Sequence, residues 1–589
     1  MNTLLESALA DILKELFGLE GAPVDLQETR KEFEGDLTLV VFPYLKASRM
    51  APDATANAIG AELQARVEAV SGYNVVKGFL NISLSDAPVQ ATFDAIQADA
   101  EWGIRPVDAH QAAAMVEYSS PNTNKPLHLG HIRNNLLGYS VAQIIQATGK
   151  PVVQEQIIND RGVHICKSMY AWQQFGNGET PETSGLKGDH LVGKYYVRFD
   201  QQLKKETEEG VAAGLTPEDA KAQAPCMQAV QKMLQDWEAG DAAVLGLWNQ
   251  MNEWVYAGFN ATYARLGVAF DKNYYESNTY LLGKKDVEEG LAKGVFYRRE
   301  DGSVWIDLTG DGLDEKLVLR KDGTSVYMTQ DIGTAIQRFA DFNMDSLTYV
   351  VGNEQDYHFK VLFLILSKLG YSWADKLSHL SYGMVDLPSG RMKSREGTVV
   401  DADDLLDEME ATAKRLSEEL GKVDGLSAAE QADLYKTLGH GALKYFILKV
   451  DPKKRMVFNP EESIDFNGNT GPFLQYTHAR IQSILRKAGE VGAWSWDDVA
   501  LEAKERELIK ILGKFPSVID HAAADQNPSA VASYLYDVAK GYNGFYQVHS
   551  VLNAETPQKA AFRVDLSRQV AGVLKRGLSL LGIAAPEQM

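Results

Sequence analysis

The most constraining feature of the sequence is a strand, a polar turn and a helix in immediate succession. A short apolar segment, Met115–Tyr118, precedes a polar turn over residues 119–126. An apolar repeat of helical period then predicts a helix that ends at Gly149. The residues of this repeat are Ile132, Leu136, Leu137, Val141, Ile144 and Ile145. Because the first turn of a helix offers unpaired N–H groups and partial positive charge, the arrangement predicts a phosphate-binding loop.

Two histidines lie at the predicted start of this helix. His128 and His131 are three residues apart, so their side chains can face the same side. With Lys125 they can bind a triphosphate and stabilise developing charge, while Gly130 lets a nucleotide approach the backbone. A metal-binding pair and two ordinary surface histidines remain alternatives, although no nearby Cys, His, Asp or Glu completes a zinc set at the usual spacing.

Composition restricts the class of protein further. With 589 residues and a hydrophobic share of 45%, the chain is globular and long enough for about three or four domains. It has no run of about 18 apolar residues, which excludes a membrane-spanning helix, and Met1–Leu19 lacks the pattern of a signal peptide. Two cysteines, Cys166 and Cys226, fit a reducing cytoplasm. The net charge of −21 argues against nucleic acid, but local basic clusters such as Lys453–Arg455 keep that class open.

The pattern of the chain changes twice and predicts three domains. Residues 1–105 combine a helix with β-type segments and are expected to form an N-terminal α+β domain. Strands and helices alternate over 106–460, which predicts an α/β catalytic domain with a Rossmann-type parallel sheet. Insertions are expected at about 190–265, which is helical, and at about 280–325. Residues 461–589 are predicted to form a C-terminal all-α helical bundle.

One segment of the helical insertion resembles a phosphate-binding loop only superficially. Gly188–Tyr195 nearly matches the P-loop pattern, but Tyr195 stands where Ser or Thr should hold magnesium, and no clear strand precedes it. We interpret this match as a coincidence within a helix.

Two other segments carry candidate ligand-binding residues. Ser325–Gly333 is expected to pass from a strand into a helix, which places Tyr327 and Asp331 at the carboxyl edge of the sheet. Ligands bind at this edge in open α/β folds, although Asp331 can instead cap the helix. Gly390–Val400 is a basic, glycine-flanked loop that suits a triphosphate, and an exposed basic turn explains it equally well.

These segments together resemble a known family. Ser119–Asn122, Lys125–Pro126 and His128–His131 resemble the first signature of class I aminoacyl-tRNA synthetases, and the Ser-Ser-Pro-Asn lead-in is similar to that of the arginyl-tRNA synthetases. Gly390–Val400 resembles the second signature, usually Lys-Met-Ser-Lys-Ser, but Ser394 replaces its second lysine. In family members that lack this lysine, the lysine before the first signature takes over its role, and Lys125 matches that position.

The resemblance implies three sets of site residues. Catalysis at the phosphates is expected from Lys125, His128, His131, Arg391, Lys393 and Arg395. ATP is expected to contact His128, Gly130, His131, His358, Met392 and Ser394. The substrate arginine is expected to contact Glu117, Ser120, Asn122, His128, Tyr327, Asp331 and Gln355. A planar guanidinium favours bidentate contact with a carboxylate, so Glu117 and Asp331 are the expected acids.

The resemblance also implies contacts with tRNA. The segments Glu34–Lys46 and Gly78–Asn81 resemble the family's N-terminal extra domain, which contacts the outer corner of tRNA. The C-terminal helices resemble its anticodon-binding domain, where aromatic rings can stack on unpaired bases. The expected tRNA contacts are Tyr476, Arg480, Arg486, Tyr542 and Met589. Helical core packing is the commoner explanation for any single aromatic residue in this set.

The implied activity is the ATP-dependent ligation of arginine to tRNA. Arginine and ATP would give arginyl-adenylate and pyrophosphate, and the 2′-hydroxyl of the terminal adenosine of tRNA would then accept the arginine. ATP with Mg²⁺, L-arginine and tRNA are the expected ligands, with no structural zinc, no membrane contact and a cytoplasmic monomer.

Three alternatives remain open from the residues. One is a class I synthetase for another amino acid, such as cysteine, although the chain lacks the Cys/His zinc set expected there. The second is a nucleotidyltransferase that uses the same loop without tRNA. The third is a non-catalytic tRNA-binding protein derived from the same fold, against which the intact His128, His131 and Asp331 argue.

Overall fold

The alternation of apolar strands and helices builds an open parallel sheet in the computed structural model of the chain. The structure describes residues 2–30, 32–386, 388, 400–419 and 425–589. Contacts divide the chain into two units. The first comprises residues 1–102, 484–515 and 540–570, and the second comprises residues 103–483, 516–539 and 571–589.

The first unit contains an antiparallel sheet covered by helices. Its N-terminal elements are α1 (Asn2–Phe17), β1 (Leu26–Glu28), β2 (Leu37–Val40), α2 (Leu45–Ser48), α3 (Pro52–Arg66), β3 (Val70–Val76), β4 (Phe79–Leu84) and α4 (Asp86–Ala98). The sheet has the strand order β1-β2-β4-β3. Apolar residues of α1 and α3, among them Leu9 and Ile59, pack against Leu80 and Ile82 of β4 to form its core. This arrangement agrees with the α+β pattern expected for residues 1–105, although the predicted boundary itself stays a prediction.

The second unit is organised around five parallel strands. Its first elements are β5 (Ala113–Glu117), α5 (Leu129–Ala147), β6 (Val152–Ile158), α6 (Val163–Phe175), α7 (Pro181–Ser184), α8 (Gly188–Ala212), α9 (Pro217–Gln223), α10 (Pro225–Glu238), α11 (Ala242–Leu266), β7 (Lys272–Tyr275), α12 (Glu276–Thr279) and α13 (Lys284–Ala292). The elements that follow are β8 (Tyr297–Arg298), β9 (Val304–Ile306), β10 (Lys316–Leu319), α14 (Tyr327–Asp341), β11 (Met344–Gly352), α15 (Asp356–Leu369), β12 (Leu377–Tyr382), β13 (Val385–Asp386), α16 (Ala402–Glu419), α17 (Ala428–Leu448), β14 (Met456–Val457) and α18 (Pro460–Ser463).

The order of the parallel strands determines where a ligand can bind. The sheet runs β12-β11-β5-β6-β7, so the chain leaves the central strand β5 first to one side and later to the other. All five residues of β5 are buried, as expected for a parallel strand covered on both faces. In open α/β folds the crevice at such a reversal, beyond the carboxyl ends of the strands, is the ligand site. The predicted parallel α/β fold and helix α5 are thus confirmed.

The segment between β6 and β7 is helical, as predicted. Gly188–Tyr195 lies within the first turns of the 25-residue helix α8, so its backbone cannot form a phosphate-binding loop. The interpretation of this match as a coincidence is therefore confirmed.

The prediction for the segment before Tyr327 was partly wrong. The strand that precedes it, β10, belongs to a small antiparallel sheet in the order β10-β9-β8 and not to the parallel sheet. Tyr327 is the first residue of α14, and Asp331 lies in the second turn of that helix. The carboxylate of Asp331 therefore does not cap the helix.

The C-terminal part of the chain is helical throughout its described elements. These are α19 (Gly471–Ala488), α20 (Ala503–Gly513), α21 (Phe515–Ala524), α22 (Pro528–Val548) and α23 (Pro557–Leu580). No helix in the described part of the chain is long and apolar enough to cross a membrane.

Candidate active site

The carboxyl edge of the parallel sheet gathers most of the predicted site residues. Glu117 ends β5, and His128 is the residue immediately before α5. Gln355 and His358 follow β11, the neighbouring strand on the other side of the reversal point. The topology therefore brings the first signature and the residues after β11 to one crevice.

The two histidines of the first signature are held by the backbone of the helix start. The Nδ1 atom of His128 accepts a hydrogen bond from the Gly130 N–H, at 3.1 Å. The Nδ1 atom of His131 accepts one from the His128 N–H, also at 3.1 Å, and the ring centroids lie 3.9 Å apart. Because an amide N–H can only donate, each neutral ring must carry its proton on Nε2. Both rings are thus fixed as Nε2–H donors.

The electrostatics of this helix start favour neutral rings. Burial lowers the pKa of His128 to about 4, with a further contribution from Lys125 that Asp401 partly opposes. Burial, together with His128 and Lys125, holds the pKa of His131 well below its usual value. The pKa of Lys125 is also lowered by burial. An anion bound here would relieve this cost, so the site is suited to a polyphosphate.

Gly130 has a packing role in addition to the expected close approach of a nucleotide. A Cβ atom at this position would lie 3.0 Å from Cε1 and 3.1 Å from Nδ1 of His128. Because Gly130 has no side chain, the His128 ring can lie against the helix start and accept a hydrogen bond from the Gly130 N–H.

The chain after the second signature is hydrogen-bonded to the first signature. The Leu129 N–H donates to the Val400 carbonyl at 3.1 Å, and the Ala402 N–H donates to the Leu127 carbonyl at 3.0 Å. The two segments form an antiparallel bridge at His128 and Asp401. The predicted phosphate-binding residues Arg391, Met392, Lys393, Ser394 and Arg395 lie outside the described residues, although the chain that follows them meets the histidine loop.

Glu117 has internal partners. Its Oε2 atom lies 2.6 Å from a terminal nitrogen of Arg338, which also lies 2.5 Å from Oε1 of Glu155. Arg338 and Glu155 are buried, and burial with the neighbouring Glu117 raises the pKa of Glu155 while Arg338 opposes that rise. The Ser120 hydroxyl donates to Oε1 of Glu117 at 3.3 Å. The guanidinium of Arg338 therefore pairs with Glu117, a carboxylate that was expected to bind the guanidinium of the substrate.

Asp331 is the more accessible of the two predicted acids. Its Oδ2 atom lies 2.6 Å from Nε2 of His358, and its side chain is 37% exposed. Tyr327, one helical turn earlier, is 77% exposed. His358 was expected at ATP, and the structure places it against the predicted arginine-binding acid.

The sequence analysis missed Glu276, a third acid at this edge. It directly follows β7, and the carboxylates of Asp331 and Asp160 are close enough to influence its titration. Burial chiefly, and these two carboxylates in addition, raise the pKa of Glu276 to about 7, against the opposing effect of Arg161. Gln330, the neighbour of Asp331, donates to the Thr279 hydroxyl at 3.4 Å, which joins α14 to α12. The position after a strand could have identified Glu276, but β7 is only four residues long and was not recognised.

Three side chains with possible metal-binding atoms meet near the end of the second signature. Among the described residues, His190, Asp401 and Asp403 form this group. His190 Nε2 lies 3.1 Å from Asp401, while Asp403 pairs with Lys187 and lies 3.3 Å from Arg265. Because these cations neutralise the carboxylates, the group is an ion-pair cluster that joins α8 and α11 to the start of α16.

The predicted tRNA-binding residues have different environments. Tyr476 is half-buried, and the guanidinium carbon of Arg480 lies 4.6 Å from its ring centroid. Arg486 is exposed and Met589 is half-buried. Tyr542 is fully buried, and its hydroxyl forms a 3.1 Å hydrogen bond with Ser567. The prediction that Tyr542 stacks on a base is therefore wrong, because its ring belongs to the core of the helices.

Comparison with known proteins identifies the family. Residues 96–459 match the family model described as tRNA synthetases class I (R), catalytic domain, and residues 474–589 match the DALR anticodon binding domain. The arginine–tRNA ligase of Flavobacterium psychrophilum is 58% identical over 600 residues, covering 100% of both chains. That of Bacteroides thetaiotaomicron is 56% identical over 591 residues, covering 99% of each. Thermus thermophilus arginyl-tRNA synthetase has a TM-score of 0.80 and 26% identity, covering 100% of both chains. The chain therefore belongs to the arginyl-tRNA synthetase family of class I aminoacyl-tRNA synthetases.

Proposed function

We propose that the crevice at the carboxyl edge of the parallel sheet performs the two steps of arginine–tRNA ligation. The protein is an ATP-dependent arginine–tRNA ligase, as its full-length relatives are. In the first step a carboxylate oxygen of arginine attacks the α-phosphate of ATP and pyrophosphate leaves. In the second step the 2′-hydroxyl of the terminal adenosine of tRNA attacks the arginyl carbonyl and AMP leaves. Neither step needs a covalent enzyme intermediate, so the protein acts by positioning and by charge stabilisation.

The phosphates of ATP bind at the start of α5. The observation that carries this assignment is the pair of Nε2–H donors, His128 and His131, fixed by two backbone N–H groups at a helix N-terminus. Lys125 adds a positive charge whose burial is favourable only beside an anion. As negative charge develops on the leaving pyrophosphate, these three side chains stabilise it without reorganisation. Arg391, Lys393 and Arg395 remain proposed partners in this step, with Met392 and Ser394 at the nucleotide.

The guanidinium of the substrate binds between α14 and α12. Asp331 is accessible and contributes to the raised pKa of Glu276, and on this basis we propose that the two acids share the guanidinium. Tyr327, the exposed first residue of α14, is proposed to contact the bound arginine. Glu117 has a different role, because Arg338 neutralises it. We assign it to holding Ser120, which with Asn122 and Gln355 contacts the amino-acid end of arginine.

The acidic pair provides the selectivity against other amino acids. Lysine lacks the planar guanidinium, and citrulline lacks its positive charge. Either amino acid would therefore leave Asp331 and Glu276 without a matched partner. Once the bound substrate excludes water from these carboxylates, a mismatch costs about 2–5 kcal/mol, which is enough for strong discrimination.

The tRNA contacts rest on the C-terminal helices, where residues 474–589 match an anticodon-binding domain. We propose that the Tyr476–Arg480 pair and Arg486 contact tRNA, and we keep Met589 as a weaker candidate. The N-terminal α+β domain is proposed to contact the outer corner of tRNA.

Mg²⁺ is proposed to enter with ATP as part of that substrate. The two free, buried cysteines suit a cytoplasmic protein, and we propose that it acts as a monomer.

Pyrophosphate exchange tests the proposal directly. The purified chain is assayed for ATP–pyrophosphate exchange with each of the twenty amino acids, with and without bulk tRNA. Of the twenty amino acids, we expect only arginine to support exchange, and we expect the same preparation to charge tRNA with arginine. Exchange with another amino acid, or charging without any dependence on Asp331, would refute the proposed site.

A further inference from the structure

The turn that follows β5 has an unusual backbone conformation. Ser119 and Ser120 are consecutive non-glycine residues with φ values of +83° and +44°. L-residues adopt this left-handed region rarely, and the surrounding structure must then hold them in it. The turn leads directly into Asn122, where a bridge with Asn159 attaches the chain to the end of β6. The conformation of this turn therefore determines where Ser120 and Asn122 lie at the edge of the sheet.

One buried side chain of α5 holds the turn. The Ser119 N–H donates to Oδ1 of Asn134 at 2.5 Å. The Nδ2 atom of Asn134 donates to the Val350 carbonyl at 2.7 Å and to the Tyr382 hydroxyl at 3.2 Å. The Asn134 amide thus ties the strained turn to β11 and β12, the two strands on the far side of the reversal point.

A second set of hydrogen bonds holds the same turn from the other side. The Ser119 hydroxyl lies 2.7 Å from the Tyr263 hydroxyl, which donates to Oε1 of Gln156 at 2.9 Å. Since the Tyr263 proton is committed to Gln156, Ser119 is the donor of the pair. Tyr263 belongs to α11 and Gln156 to β6, and all three side chains are buried. This set holds the side chain of Ser119, whereas Asn134 holds its backbone.

We propose that Asn134 is a positioning residue for arginine binding. By accepting the Ser119 N–H it keeps residues 119 and 120 in the left-handed turn that presents Ser120 and Asn122 to the substrate. The inference rests on the proposed contacts of Ser120 and Asn122 with arginine. Asn134 has no role at the phosphates, because its three hydrogen bonds go to the turn and to β11 and β12.

The test separates positioning from general stability. In pyrophosphate exchange, Asn134→Ala is expected to raise the KM for arginine about tenfold, the effect of one lost buried hydrogen bond to a backbone donor. The KM for ATP should stay near that of the wild type. Ser140→Ala is the matched control, because Ser140 is also buried on α5 and its hydrogen bond, to the Leu580 carbonyl at 2.9 Å, does not involve the turn. It should lower the unfolding midpoint without changing the KM for arginine.

Two further variants address the mechanism of positioning. Ser119→Gly removes the hydroxyl that Tyr263 holds and frees the backbone of residue 119 to leave the left-handed region, so it should raise the KM for arginine, and further still when combined with Asn134→Ala. Asn134→Asp keeps the acceptor oxygen but loses both donors, so it should be less stable and yet bind arginine nearly normally. If Asn134→Ala does not fold, Ser119→Gly still tests the inference, because loosening the turn should raise the KM for arginine and leave the KM for ATP unchanged.

The outcomes distinguish this inference from the site assignment. Equal increases in the KM values for arginine and ATP, or an unchanged KM for arginine in Ser119→Gly, would overturn the positioning role. The same holds if Asn134→Asp loses arginine affinity as Asn134→Ala does. If Ser120→Ala and Asn122→Ala leave the KM for arginine unchanged, the proposed contacts themselves are wrong. If these two variants weaken arginine binding and Asn134→Ala does not, only the positioning role fails.

Discussion

A terminal nitrogen of Arg338 lies 2.6 Å from the carboxylate of Glu117 at the end of the central strand. The protein thus places its own guanidinium against an acid that lies next to the expected arginine site. Glu155 shares this guanidinium, and all three groups are buried. Two carboxylates against one guanidinium form a stable group only while Arg338 is present. We therefore propose Asp331 and Glu276 as the acids that receive the substrate.

The two predicted acids should respond differently to substitution. Asp331→Ala is expected to abolish arginine activation with little change in the unfolding midpoint, because it removes an accessible partner of the substrate, at a cost of about 2–5 kcal/mol in transition-state binding. Glu117→Gln should lower the unfolding midpoint and weaken arginine binding less. Exchange kinetics and thermal unfolding of both variants give the comparison. Near-normal aminoacylation by Asp331→Ala would exclude Asp331 from the site. Complete loss of activity in a fully stable Glu117→Gln would instead assign Glu117 to binding the guanidinium of the substrate.

Arginine binding should depend on pH through Glu276. Its pKa is raised to about 7, so below this pH the carboxyl becomes protonated and the guanidinium loses part of its negative partner. The KM for arginine should therefore rise by up to about tenfold for each pH unit below 7 and level off above it. The measurement is the KM for arginine between pH 6 and pH 8. Glu276→Gln is the control, and it should have a raised KM that no longer changes across this range; a variant that keeps the wild-type profile would assign the titration to another group.

The first signature illustrates what the sequence could predict. Helix α5, the turn before it and the pairing of His128 with His131 follow from local features, namely apolar period, glycine position and spacing. These features act within one segment, so one sequence is enough to find them. The position of Asp331 at a crevice was also predicted, although the strand expected before it belongs to another sheet.

The parts that escaped prediction depend on contacts between distant segments. Arg338 pairs with Glu117 and Glu155 only because α14 packs near β5 and β6, and nothing in its local sequence indicates this. Tyr542 and Tyr546 are four residues apart on one helix, yet the first ring is fully buried and the second is 39% exposed. Which face of α22 is covered depends on neighbouring helices, so the sequence alone could not decide which tyrosine is available to tRNA.

Lys125 should contribute to turnover much more than to the binding of ATP. Its burial is unfavourable in the free protein and becomes favourable as charge accumulates on the leaving pyrophosphate, which makes its effect largest in the transition state. Lys125→Ala is expected to lower the single-turnover rate about 100-fold while the KM for ATP changes little. Lys125→Arg, which keeps the charge, should recover part of the rate. An unchanged single-turnover rate in Lys125→Ala would exclude this role.

The neutral histidines should make the free protein sensitive to mild acid. The pKa of His128 is about 4 in the folded chain and near 6.5 when unfolded, so its contribution to stability is present above pH 6.5 and is lost as the pH falls towards 4. Between these values the unfolded chain binds the extra proton, which shifts the equilibrium towards unfolding.

The unfolding midpoint of the wild type should therefore fall between pH 7 and pH 5, and His128→Asn should show a smaller fall. His440, whose pKa burial also lowers to about 4, remains in both proteins, so the difference between them reports the titration of His128 together with its effect on His131. ATP should reduce the fall in the wild type, because a bound triphosphate stabilises the protonated ring. Equal falls in the two proteins would mean that the His128 imidazole is accessible to protons in the folded state, and its fixed Nε2–H donor role would then not hold.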